Sequence, residues 1–183
     1  AYRASGPMRE PFPIGGALLA YMAVRRQQFL DLHGYHPACR GYPHPEGYVP
    51  MKYWMFGQEC WAVPLAIHFH SLYPRKYGTP PKVDIMMDGK PYRLVGNHNL
   101  IRNAMMCGYT LGGEQWADAT WNAWRERGGN KKILNGIKES VLEAAKEERK
   151  WVRDNAEMEL NDVLKMLNKR EVRGVNILPE WIK

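Results

Sequence analysis

No run in this chain reaches the roughly 18–20 consecutive apolar residues that a membrane-crossing helix needs. Cysteine is scarce: Cys39, Cys60 and Cys107 are odd in number and contain no CxxC pair. That excludes a disulfide framework from the expected architecture and fits a reducing or mixed compartment. The Gly-rich stretch GYTLGGEQW lacks the GK[ST] ending of a phosphate loop, and no GxSxG nucleophile elbow is present. Each cysteine lies within reach of some histidine in the sequence, yet no spacing selects one as a nucleophile. Free cysteines are more often small buried hydrophobes.

A concentrated block of one charge is also missing. The net charge is +7, from 26 Lys and Arg against 19 Asp and Glu. Residues 1–50 hold 5 basic and 3 acidic side chains, residues 51–129 hold 9 and 6, and residues 130–183 hold 12 and 10. The excess is thus spread thinly, whereas a dedicated nucleic-acid domain tends to gather Lys and Arg on one element.

What is present is aromatic and globular in character. Hydrophobic residues make up 45% and charged residues 25% of 183 positions, enough for one domain with a real core. Seven Trp and ten Tyr favour half-buried surfaces, including interfaces. The first residue is Ala1 and not Met, which together with the basic charge leads us to expect an imported, mitochondrial protein.

The expected fold class is α+β, mainly helical, in three parts: an N-terminal arm with a short apolar helix (1–33), a small mixed body (34–129), and a long amphipathic helix with an extended tail (130–183). The apolar run FPIGGALLAYMAV (12–24), flanked by Arg9 and by Arg25 and Arg26, predicts a helix over 16–32 closed by Gly34. Core packing is its expected role, with membrane-surface contact through 12–24 as the alternative. Residues 33–50 contain four Pro and three Gly and predict an extended arm. In WAVPLAIHF, bulky residues at alternate positions predict a strand with Pro64 at a sheet edge. KVDIMMDGKPYRLV predicts a hairpin over 82–95 turning at Asp88-Gly89. Asn99 is expected to cap a helix over 100–107 ended by Gly108, and a second helix is expected over 114–127, stopped by Gly128-Gly129.

From Ile137 to Arg170 there is neither Pro nor Gly, and acidic residues lead while basic ones trail. Such a helix of 34 residues would be about 51 Å long against a body about 40 Å across. Its stripe of Val152, Ala156, Leu160, Val163 and Leu167, with Trp151 beside it and Trp181 in the tail, is therefore expected to meet a partner. The alternative is a long helix folded back over its own domain, with the KEERK turn (146–150) merely solvated.

Histidines raise the question of metal. His33, His36, Cys39 and His44 could in principle hold zinc, but they share one Pro-rich run and need not converge. His68 and His70 share a strand face, with His98 or Glu59 as a conceivable third ligand; a cupin-like Glu after the pair is missing. No metal or cofactor is therefore expected. Arg75, Lys76, Lys82, Lys90, Arg93 and Arg102, interleaved with Tyr73, Tyr77 and Tyr92, could track phosphates and stack bases. The expected function is a non-catalytic accessory subunit of a large mitochondrial membrane assembly, of respiratory-chain or ATP-synthase type. A mitochondrial ribosomal protein contacting RNA is the first alternative, and a metal-dependent enzyme using His68 and His70 is the second.

Overall fold

The computed structural model describes residues 10–16, 22–39, 47–63, 84–87, 90–93, 97–126, 128 and 131–170. In chain order these hold β1 (Phe12–Pro13), α1 (Arg26–Asp31), α2 (Tyr48–Met55), β2 (Trp61–Ala62), β3 (Asp84–Met87), β4 (Lys90–Arg93), α3 (Asn97–Gly112), α4 (Glu114–Glu126), α5 (Lys131–Asn155) and α6 (Leu160–Lys169). The fold is α+β and mainly helical. Its strands form two separate antiparallel pairs, β1 with β2 and β3 with β4.

The segment YVPMKYWM is apolar on every side except for Lys52, and a helix that is apolar all round must be covered all round. It forms α2, and all eight of its residues are buried. The expected extended arm through Pro50 is thus corrected. Pro50 lies in the first turn of α2, where a missing backbone donor is tolerated. Around α2 lies a core of Leu32, Val49, Trp54, Met55, Leu111, Val152, Val163 and Leu167, among others. A second cluster, Ile101, Met105, Met106, Leu134, Val141 and Ala145, joins α3 to α5.

The helix expected over 16–32 is shorter than its apolar run suggested. Phe12 and Pro13 pair with Ala62 and Trp61, the Ile14 amide donates to the Cys60 carbonyl at 2.8 Å, and the Trp54 indole donates to the Ile14 carbonyl at 3.0 Å. These bonds hold Phe12 to Ile14 in an extended path, residues 22–25 are not helical, and α1 begins at Arg26. Its stop at Gly34 is as expected. The Gly34 amide reaches back to the Phe29 carbonyl and the His33 amide to that of Leu30, a Schellman ending. A β-carbon on Gly34 would lie 2.5 Å from the Phe29 ring.

Gly108 does not end α3, which runs on to Gly112. Position 108 is where α4 crosses: a β-carbon there would stand 3.3 Å from the Trp116 carbonyl, so the glycine permits close helix contact. Gly113, at φ +77°, makes the actual turn into α4, and α4 itself matches the expected helix. The β3–β4 hairpin also matches, with Asp84 opposite Arg93 and Met87 opposite Lys90.

The expected 34-residue rod is broken. Its helix stops at Asn155 and resumes at Leu160. Between them the amides of Glu157 and Met158 leave the helical ladder and both donate to the Met55 carbonyl at the end of α2, at 2.9 and 3.1 Å. The rod folds back, and its second stripe covers α2: Val152, Val163 and Leu167 are fully buried and Leu160 is 5% exposed. Trp151 and Ala156 pack against the same core. Of the stripe expected to meet a partner, Val152, Leu160, Val163 and Leu167 are therefore buried in the chain's own core, with Trp151 and Ala156 half-buried against it; Trp181 lies outside the described residues.

Because Leu167 is part of this core, Leu167→Ala should lower the unfolding free energy by about 2–5 kcal/mol. The neighbouring Lys165→Ala, at an exposed position, should change it by less than about 0.5 kcal/mol. Urea denaturation of the two variants measures the difference, and equal effects would place α6 outside the core.

Candidate functional site

Lys52 is the one charged residue of α2, and its side chain is 1% exposed. A buried ammonium needs a counter-charge and acceptors for its protons. The Lys52 Nζ donates to the Leu32 carbonyl at 2.7 Å and to Glu148 Oε1 of α5 at 2.8 Å. The rings of Tyr48 and Trp151 lie 5.0 and 5.5 Å from it, adding cation–π attraction. Glu148 uses its other oxygen, Oε2, for His33 Nδ1 at 2.9 Å.

His33 is the non-glycine with positive φ (56°) among the described residues, at a position that Schellman endings usually give to glycine. What holds it there is its side chain. The imidazole stacks on the Trp151 ring at 3.7 Å, and Phe56 stacks on the same indole at 5.2 Å. The arm, α2 and α5 therefore meet at one carboxylate.

Burial opposes ionisation of Glu148, but hydrogen bonds from Lys52 and His33 outweigh it and hold the carboxyl below the ordinary carboxylate range. Lys52 is pushed down by burial, against the pull of Glu148. His36 is 3% exposed, and burial lowers its pKa to about 4. Its Nδ1 accepts the Ala38 amide at 3.0 Å, while its Nε2 has no partner. Arg102 of α3 donates to the Ala38 carbonyl. Cys107 lies in the core cluster against which Cys39 packs, beside this contact, and each thiol perturbs the acidity of the other.

The histidine-rich stretch is thus brought to the core, but its ligand candidates diverge. His33 goes to Glu148, His36 to its own loop and Cys39 to Cys107; His44 lies outside the described residues. Among the described residues no group of three or more His, Cys, Asp and Glu side chains gathers as a metal site. His68 and His70 lie outside them, and His98 falls in the first turn of α3. Glu59 is exposed and accepts from the Trp61 indole and from Arg170. Of the basic group, Arg102 holds the loop as described, Lys90 and Arg93 open and close β4, and Arg75, Lys76 and Lys82 lie outside the described residues.

The KEERK turn is not simply solvated. Glu148 is the buried counter-ion, and Arg149 donates to the Leu111 carbonyl at 2.8 Å, satisfying the end of α3. Lys146, Glu147 and Lys150 are exposed. Sequence reasoning missed Lys52 and Glu148 as a pair, although a single charge within an otherwise apolar octapeptide is a usable signal for a buried, partnered lysine.

No protein-family model, curated protein or solved structure matches this chain.

Glu148→Ala leaves Lys52 buried without its counter-charge and should cost about 3–5 kcal/mol. The double variant Lys52→Met/Glu148→Leu removes both charges and should recover most of that loss in urea unfolding. A double variant as unstable as Glu148→Ala would refute the account of an uncompensated charge.

Acid should weaken the fold in two steps. In the unfolded chain His36 takes up a proton near pH 6.5, whereas in the fold it stays neutral to about pH 4, so stability is lost as pH falls between those values. Glu148, depressed by its partners, contributes stability above the unfolded carboxylate pKa, lost as pH falls through the lower folded value. His36→Asn, which keeps an acceptor for the Ala38 amide, should flatten the first step and leave the second. Urea midpoints from pH 7 to pH 3 measure both, and an unchanged first step would clear His36 of that role.

Proposed function

We propose that this chain is a non-catalytic structural subunit of a large assembly that binds its neighbours through the arm and the β1–β2 ribbon. The observation that carries this reading is an inversion of what faces where. The chemically loaded groups Lys52, Glu148 and His33 are engaged in holding the arm to the helices, and His36 accepts a bond within its own loop. What faces outward includes large apolar side chains: Val24 at 40%, Leu30 at 48%, Trp61 at 51% and Val63 at 54% exposure. An exposed tryptophan at the end of a short ribbon is a typical anchor for another protein.

On this reading the docking surface is the arm and the ribbon, because the stripe of Val152, Leu160, Val163 and Leu167 on the last helices is used internally. A mitochondrial membrane assembly of respiratory-chain or ATP-synthase type is the proposed setting, supported by the basic charge and the arginine-flanked apolar run. Among the described residues no helix is long and apolar enough to cross a membrane; the proposed contacts are with protein subunits.

In a density gradient of detergent-solubilised mitochondria, the chain should migrate with a particle far larger than its own 21.2 kDa. Trp61→Ser/Val63→Ser should shift it to the free fraction while leaving its unfolding midpoint unchanged. Migration of the unaltered chain as a monomer would overturn the proposal, and migration with ribosomal particles would move it to an RNA-containing assembly.

A further inference from the structure

Two of the three cysteines, 68 positions apart (107 − 39), are brought together by the fold. Cys107 is 5% exposed in the core around α2, and Cys39 packs against it at the end of the arm. The contact is fixed from both sides. The Cys39 amide donates to the His36 carbonyl, and the carbonyl one residue before Cys39 is held by Arg102, five positions before Cys107 on the same helix. The third thiol, Cys60, points to the Pro50 carbonyl in the first turn of α2, at 3.9 Å.

The pair is chemically asymmetric. The hydrogen bond from Cys107, helped by the charge of Arg102, draws the Cys39 thiol below its ordinary value against the opposing effect of burial. Burial and the bond to Cys39 push Cys107 well up, with Lys52 acting against them. Cys39 is half-buried, while Cys107 is buried. Burial also raises Cys60, to about 11, which makes it a poor competitor. The buried hydroxyl of Tyr48 has no hydrogen-bond partner and feels the charge of both Cys107 and Cys39, leaving a free donor beside the thiols.

We propose that Cys39 and Cys107 form a reversible disulfide that staples the arm to α3, with Cys39 as the attacking thiol and Cys107 as the resolving one. The oxidant is a small-molecule disulfide. The Cys39 thiolate attacks one sulfur of the reagent, forming a mixed disulfide and releasing one reagent thiolate, which takes up a proton. Cys107 then loses its proton and attacks the Cys39 sulfur; the Cys39–Cys107 bond forms and the second reagent thiol leaves. Two protein thiols are oxidised, and one reagent disulfide is reduced to two thiols.

The test uses the folded, fully reduced chain and oxidised glutathione. We expect a mass loss of about 2 Da, a peptide map linking Cys39 to Cys107, and Cys60 left as a thiol. Cys107→Ser should stop at a stable glutathione adduct on Cys39, and Cys39→Ser should leave Cys107 unreacted. The oxidised chain should melt on the order of 10 °C higher than the reduced one, since the bond closes a long loop. Should Cys107→Ser fail to fold, the wild-type map and melting curve decide alone. A lasting glutathione adduct on the unaltered chain, a bridge involving Cys60, the absence of reaction, or a melting point that does not rise would each overturn the proposal.

Discussion

The structure depends on keeping one ammonium group out of water. Lys52 lies in a helix with no exposed face, so its charge must be answered from another part of the chain. Glu148 answers it from α5, 96 positions away, and the Leu32 carbonyl answers it from the arm. A rotation of α5 that moved Glu148 away would leave a buried charge unneutralised, at a cost comparable to a large share of a domain's stability. The pair therefore selects one register of α5 on α2, whatever its net contribution to stability. His33 extends the selection: as the second ligand of the same carboxylate, it fixes where the arm ends its helix.

The other end of α2 makes a second demand. The Met55 carbonyl belongs to the last turn of α2 and has no acceptor role left within the helix. It takes the amides of Glu157 and Met158, two donors that a continuous α5 would have used internally. Breaking the rod at this point lets its apolar second stripe fold onto α2, so burial of Leu160, Val163 and Leu167 follows from the same contact. One helix thus sets both the register of α5 and the place where it ends.

These two facts separate what the sequence reveals from what it hides. The β3–β4 hairpin, α4 and the stop at Gly34 were legible because each depends on residues a few positions apart: an Asp-Gly turn, a glycine at each end of a helical run, a glycine after the last turn. The break after Asn155 had no such signal. Its cause is a carbonyl about 100 positions upstream, and no Pro or Gly marks it. Gly108 misled in the opposite way, since a local stop signal was overridden by the close passage of Trp116. Within the site, the crowding of His33, His36 and Cys39 in one stretch was visible. Their divergence toward Glu148, Ala38 and Cys107 required the tertiary fold.

The thiol pair and the ion pair occupy one neighbourhood, and their coexistence has a physical reason. Oxidation of two neutral thiols to a disulfide removes no net charge and adds none, so the balance between Lys52 and Glu148 is untouched by it. A phosphate or a metal ion introduced at the same place would add charge within reach of a buried ammonium and disturb that balance. The arm is already held in the native state by His33 and Arg102, so a covalent link there reorganises little of the fold. Its effect falls mainly on the unfolded chain, whose freedom it restricts. In a cluster built around a single compensated charge, thiol–disulfide exchange is therefore a modification that the electrostatics leave open.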